Sequence, residues 1–389
     1  MSGRDLFCQP RRFGRGAALT LVFASVLVAG AATGSLPGPD RKTTPGTPRS
    51  TASAARPEEV TEAAAEAMAA GQSPMEAAER AVSRSGDRWD AVYSQGEFEE
   101  FEESLDGEYT GVGLWTRGER DGRIEVTKVS AGSPAATAGI RAGDRLRTVD
   151  GARVEGRPVT EVVSLLRGDA TDAAAGTTVR LGLERGTHAW NLTLRRARLS
   201  TDSVTVRNLA DRVTVITIDA FTKGSGDVVR DAVRQAPADA GIVLDLRGNS
   251  GGLVTEAVTA ASAFLDGGLV ATYDVDGTQY ALHAEAGGDT TRPLVTLVDG
   301  GTMSAAELLT GALQDRGRAV VVGSRTFGKG SVQMPTRLPD GSVAELTVGH
   351  YRTPSGRGVD GKGITPDLEA DTGALKQAET VLSGLGDAS

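Results

Sequence analysis

The chain has 389 residues, enough for two or three domains with a sizeable core. Its formal net charge of -9 is spread along the sequence, and no clustered basic patch of the kind a nucleic-acid binder shows is present. The lone cysteine, Cys8, lies ahead of an apolar run, and the three histidines, His188, His283 and His350, are isolated with no HExxH spacing. Once a leader is removed, disulfides and thiolate chemistry are excluded, and the isolated histidines make a poor zinc site, so neither metal nor other cofactor is expected.

Residues 1–33 stand apart. Arg11, Arg12 and Arg15 precede an uncharged stretch from Ala17 to Ala32 that ends in small residues. The run is slightly short for a comfortable membrane span and long for a signal core, which leaves a cleaved export signal, an uncleaved membrane anchor or a buried helix open. The first two place the remainder outside the cytoplasm, extracellular or anchored on the outer face of the membrane. Arg11-Arg12 hints weakly at a twin-arginine signal. Residues 34–57 are rich in Pro, Gly, Ser and Thr and read as a flexible tether. Residues 58–107 read as a helical N-terminal segment, with a second helix from Pro74 that Ser73 caps and Glu76 completes as a capping box. An acidic stretch, FEEFEESLDGEY, closes it.

Residues 108–198 change texture to short strands and turns. Ile124–Val129 alternates as a half-buried strand, Asp150-Gly151 marks a turn, and Thr160 is expected to cap a helix over Glu161–Leu166. Closing strands are expected around Val179–Leu183 and Trp190–Leu194. In order, GVGL (111–114), SPAATAGIRAGDRL (133–146) and VDG (149–151) resemble a PDZ domain of the bacterial protease type. The resemblance implies that Gly111, Val112, Gly113 and Leu114 form a carboxylate-binding loop for a peptide C-terminus, which adds a strand to the sheet. Taken alone, these glycines would only turn a strand; the turn motifs in register behind them favour peptide binding.

From 199 to 375 the pattern becomes β–turn–helix: strands at Val213–Ile218, Gly241–Leu246, Leu294–Val298 and Ala319–Val322, with helices at Asp227–Gln235, Leu253–Leu265 and Ser304–Gln314. Such alternation predicts an α/β class with a mostly parallel sheet and right-handed crossovers, its ligands at the carboxyl ends of the strands. Residues 376–389 read as a C-terminal helix or tail.

Three sites compete for the chemistry. Ser250, in DLRGNSGGLV, sits in a turn like that of the trypsin-type nucleophile. That machinery needs a His oriented by an Asp, both upstream, and the only upstream histidine is His188, inside the PDZ-like segment. Ser304, in VDGGTMSAAE, follows a buried strand and opens a helix whose free N–H groups favour developing negative charge. Lys329, in TFGKGSVQ, could activate a serine if burial keeps it neutral; lowering a lysine from about 10.4 to about 7–8 costs roughly 4 kcal/mol. Singly, Ser304 is a helix cap and Lys329 a loop charge.

Together with GIVLDLRGNSGGL, ALQDRGRAVVVGSRTFGKGSVQ and YRTPSGRGVDGKGITPDLE, these stretches resemble the carboxyl-terminal processing peptidases (tail-specific proteases, family S41) over about residues 95–370. The resemblance implies a ClpP/crotonase-like core with Ser304 as nucleophile, Lys329 as general base and Gln333 orienting the lysine. It also implies oxyanion donors at the Ala305 N–H and in the Gly251-Gly252 turn, with the choice of glycine open. Met303 and Ala306 depart from common family residues, and Glu307 fits the family pattern without a role beyond a helix-start carboxylate. The expected function is an exported serine endopeptidase cutting near the C-termini of protein substrates, captured by the PDZ-like domain. A gating motion of that domain, a homo-oligomer and an adaptor partner stay open. The alternatives are a catalytically silent peptide-binding scaffold, a trypsin-type protease using Ser250, and a ClpP- or crotonase-like acyl-chemistry enzyme, which would not need the PDZ-like module.

Overall fold

The computed structural model describes residues 56–386 except 120, 169–174, 210–211 and 276–277. The expected signal or anchor, and nearly all of the 34–57 tether, lie outside the described residues. No helix among the described residues is long and apolar enough to cross a membrane. The chain divides into two compact units, one comprising Glu108–Thr201 and the other drawn from the residues on both sides of it.

The larger unit begins with helices α1 (Pro57–Ala69) and α2 (Pro74–Ser85), strand β1 (Ala91–Tyr93) and helix α3 (Gln95–Leu105). Ser73 caps α2 as expected, its hydroxyl accepting the Glu76 N–H at 3.3 Å. The acidic stretch is helical as far as Leu105, with Ser94 and Glu97 forming a reciprocal capping box ahead of it, and its last two residues enter the strand that follows. Rather than standing alone, this segment belongs to the larger unit. Val60, Ala64, Ala78 and Val82 pack with Leu338, Ala344 and Leu346.

The smaller unit contains β2 (Glu108–Gly111), β3 (Leu114–Gly118), β4 (Ile124–Val129), α4 (Pro134–Thr137), β5 (Arg145–Val149) and β6 (Ala152–Arg153). It continues through α5 (Val159–Arg167), β7 (Thr178–Arg185), β8 (His188–Arg195) and β9 (Ala197–Ser200). The main sheet runs β3-β4-β5-β7-β8, which leaves β3 at an edge, while β2 pairs with β9. Helix α5 starts two residues earlier than expected, with Pro158 at the N-cap, so Thr160 lies inside its first turn rather than capping it. The proline supplies the fixed φ that suits a helix entry.

The larger unit resumes with β10 (Val204–Leu209), β11 (Val213–Ile218), α6 (Ser225–Gln235), β12 (Gly241–Asp245), α7 (Val254–Ser262), β13 (Leu269–Val275) and β14 (Thr278–His283). Then come β15 (Leu294–Val298), α8 (Ala305–Asp315), β16 (Val320–Gly323), β17 (Ser331–Arg337), β18 (Val343–Arg352), β19 (Leu368–Glu369) and α9 (Ala374–Gly386). One sheet has the order β10-β11-β12-β15-β16-β19. Its first pair is antiparallel, and β11 through β19 pair in parallel. Alternate residues feed two cores: Ile216, Ile242, Leu244 and Leu294 face one, and Val215, Val243, Val295 and Leu297 face another with Ala378 and Leu382 of α9. Burial on both faces explains why β15 reads as an apolar run interrupted only by Thr296, which is itself buried. A second sheet joins β18 to β17, β1 and β13, with β14 beyond.

Candidate active site

Two turns at the carboxyl ends of β12 and β15 are stapled together by one carboxylate. Asp299 Oδ1 accepts the Gly248 N–H at 2.9 Å and the Gly301 N–H at 2.8 Å. Asn249, fully buried, shapes the first turn. Its Nδ2 donates to the Ile218 carbonyl at 2.8 Å, and its Oδ1 accepts the Gly251 N–H at 2.8 Å. The Asn249 carbonyl in turn accepts the Met303 N–H at 2.8 Å.

Glycine is required twice here. Gly251 has φ 100° and a Cβ there would stand 2.9 Å from Ser304 Cβ; Gly252 has φ 126° and its Cβ would stand 2.4 Å from the Phe221 carbonyl oxygen. The N–H of Gly251 is already committed to Asn249. Among the described residues no acceptor takes the N–H of Gly252 or of Ala305, the first residue of α8.

Ser304 opens α8 at φ 55° and ψ -117°, outside the left-handed well, a conformation worth about 1–3 kcal/mol of strain. Its backbone is pinned from two directions. The Ser304 N–H donates to Glu307 Oε2 at 3.0 Å, and its carbonyl accepts the Tyr351 hydroxyl at 3.0 Å.

Glu307 does far more than the helix-start role expected of it. It is fully buried, and its Oε1 accepts the Thr326 hydroxyl at 2.5 Å and the Gly328 N–H at 2.7 Å. Its Oε2 accepts the Lys329 N–H at 2.8 Å as well as that of Ser304. Burial raises its pKa, opposed by these donors. The carboxylate therefore joins the start of α8 to the loop carrying Lys329. The only sequence signal was an acidic residue flanked by Ala305, Ala306, Leu308 and Leu309, all of which are buried.

Burial lowers the Lys329 pKa, against the opposing pull of Glu345 and Asp87. Its Nζ lies 4.9 Å from the centroid of the Trp89 ring. Gln333, expected to hold the lysine, instead donates from Nε2 to the carbonyl of Trp89. Among the described residues, no hydrogen bond joins Lys329 to the Ser304 hydroxyl or to Gln333. Trp89 was not singled out from the sequence, because nothing local marks a contact across 244 residues.

In the smaller unit, Gly111 ends β2 and Leu114 starts β3. Val112 is buried, and the Val112 and Gly113 carbonyls accept the N–H groups of Ala135 and Ser130, each at 3.0 Å. Gly113 has φ 82°, and a Cβ there would lie 2.3 Å from Ser133 Cβ. His188 stacks on Trp190 at 5.5 Å in this unit.

Residues 212–370 match the family model for Peptidase family S41, and residues 125–185 match that for the PDZ domain. The carboxy-terminal processing protease CtpA of Bacillus subtilis (strain 168) is 33% identical over 290 residues, covering 73% of this chain and 61% of that protein. A probable CtpA-like serine protease of Staphylococcus haemolyticus (strain JCSC1435) is 34% identical over 289 residues, covering 73% and 57%. The chain thus spans a little under two thirds of the length of these curated relatives. Among solved structures, a photosystem II D1 C-terminal processing protease aligns with a TM-score of 0.51 and 29% identity, covering 80% of this chain and 86% of that one. A putative S41 protease from Bacteroides fragilis NCTC 9343 aligns with a TM-score of 0.52 at 18% identity, covering 82% and 90%, a likeness of fold. By these matches, residues 212–370 are similar to peptidase family S41 and residues 125–185 to a PDZ domain, and the chain is a homologue of C-terminal processing peptidases, which are serine-type.

Proposed function

We propose that the protein is an exported serine endopeptidase that cleaves protein substrates near their C-termini with a Ser304–Lys329 dyad. The carrying observation is that a strained serine at a helix start stands beside two uncommitted N–H groups, on an element tied by Glu307 to a half-buried lysine. Ser304 Oγ attacks the scissile carbonyl carbon while its proton passes to Lys329 Nζ. The tetrahedral oxyanion takes hydrogen bonds from Ala305 and Gly252, the glycine whose N–H is not spent on Asn249. The C–N bond breaks as the lysine returns the proton to the leaving amine, and water activated by Lys329 then hydrolyses the acyl-enzyme. The Ser304–Lys329 hydrogen bond forms when substrate fills the cleft, since such contacts tighten in the reacting complex.

The parallel registers of β11, β12, β15 and β16, with both turns at one sheet edge, support a ClpP/crotonase-like core. The edge position of β3 beside Gly111–Leu114 supports strand addition by a substrate tail, with its carboxylate held by that loop. Export rests on the basic flank and apolar run of residues 1–33.

The test is cleavage of a model protein with a free or an amidated apolar tail, comparing wild type, Ser304→Ala and Lys329→Ala. Loss of turnover in both variants with preference for the free tail is expected. Undiminished cleavage by Ser304→Ala overturns the dyad, and equal cleavage of both tails overturns carboxylate capture.

A further inference from the structure

The N-terminal segment reaches the proteolytic centre through Trp89. Trp89 lies far outside the residues 212–370 that match the peptidase family, yet its ring lies under Lys329 Nζ at 4.9 Å and against Phe327 at 5.7 Å. Its backbone is tied down at the N–H, at the carbonyl and at the residues that follow. The Trp89 N–H donates to Asp87 Oδ1 at 2.8 Å, and its carbonyl accepts from Gln333. The neighbouring Asp90 accepts the Thr347 N–H at 2.7 Å, and the strand that follows pairs Ala91 with Glu345. A backbone held at these points presents the indole to the amine.

We propose that Trp89 is a positioning residue of the peptidase centre: its indole is the wall that excludes water from the Lys329 amine, so the N-terminal segment completes the site. This rests on the dyad reading above. It also gives Gln333 a different task, since the glutamine holds the lysine through Trp89's backbone. The charged and titratable groups around the amine are Glu345 on β18, which burial pushes up, and Asp87 and Arg88 beside the indole. Tyr93 hydrogen-bonds Glu345, and Glu307 holds the lysine's own N–H. Glu345 and Asp87 favour the ammonium, as does the indole face. Burial, which favours the neutral amine, is the largest influence, and an indole is a large part of any wall that supplies it.

The experiment measures kcat/KM against pH for the full chain with Trp89→Ala and Trp89→Leu, together with the pH dependence of Lys329 labelling by an amine-selective reagent, read by mass spectrometry. In Trp89→Ala the amine is hydrated, its pKa rises, and both the acid limb of kcat/KM and the labelling midpoint move up by about one pH unit, roughly a tenfold loss at fixed pH on that limb. Trp89→Leu keeps an apolar wall and holds the limb near the wild-type position. A limb and midpoint that stay put or move down in Trp89→Ala overturn the proposal, even if activity falls, because a purely structural loss lowers rate without moving a pKa. Should Trp89→Ala not fold, Trp89→Gln, which brings a hydrated amide to the amine, is judged by the same two outcomes. Ser304→Ala separates the levels: turnover persisting there overturns the dyad, whereas an inactive Ser304→Ala with an unshifted Trp89→Ala overturns only the role of Trp89.

Discussion

The Oε2 atom of Glu307 accepts the backbone N–H of Lys329 at 2.8 Å, so the lysine loop hangs on a side chain of the helix that Ser304 begins. With Oε1 on Gly328 and Thr326, one carboxylate sets the spacing of two elements that the proposed mechanism needs in register.

Glu307→Gln keeps the shape but turns one acceptor into an NH2 donor facing backbone N–H groups. It is expected to cost about 3 kcal/mol of stability and to lower turnover more than substrate binding. Denaturant unfolding and the split between kcat and KM measure both. The buried carboxyl has a raised pKa, so its stabilising contribution is complete below the unfolded value of about 4.3 and is lost as pH rises through the folded one. Wild type therefore gains on Glu307→Gln as the pH is lowered through that window; a gap that narrows instead contradicts this.

Ser304→Ala is expected to reduce turnover by roughly 10^4-fold or more while the fold and tail binding persist. Ser250→Ala should leave turnover within about twofold, since the turn is shaped by Asn249 and its glycines. Peptidase assays on the two variants decide between them; loss of activity in Ser250→Ala alone would restore the trypsin-type alternative.

Lys329 sits in a site whose burial disfavours the ammonium. The kcat/KM profile should therefore rise through an acid limb whose midpoint lies below the ordinary lysine value of about 10.4. Lys329→Ala should flatten that limb along with the activity. A limb at the ordinary value would mean that the amine is solvated.

Gly252→Ala would drive a Cβ to 2.4 Å from the Phe221 carbonyl oxygen at φ 126°, so the turn must shift and carry the proposed oxyanion donor away. A fall in kcat of about 10^2–10^3-fold with KM little changed is expected, the scale for losing one such donor. Retention of kcat would show that Gly252 does not face the oxyanion.

Gly113→Ala tests the smaller unit. Its Cβ would lie 2.3 Å from Ser133 Cβ, displacing the loop ahead of β3. Binding of a free-carboxylate peptide, followed by calorimetry, should weaken by at least tenfold, whereas turnover of a short substrate that bypasses capture should be spared. Unchanged affinity would place tail recognition elsewhere.

Much of this architecture is local and was therefore legible in the sequence. The largely apolar run of Leu294–Val298 reads as a strand covered on both faces, and Ser73-Pro74 as a helix start. Ser304 and Lys329, which singly read as a helix cap and a loop charge, were singled out by the family resemblance of the stretches that carry them. The placements of Glu307, Gln333 and Trp89 were not legible. A buried carboxylate taking four donors, or an indole under an amine, is a contact between residues distant in the chain, and its sign is fixed only by what else is buried there. The Gly251-Gly252 turn combines both cases. The sequence shows two glycines ending a strand, but only the folded chain, by spending the N–H of Gly251 on Asn249, leaves that of Gly252 unengaged. Periodicity and turn chemistry act over a few residues and determine elements; desolvation and hydrogen-bond competition act across the whole core, and they decided the site.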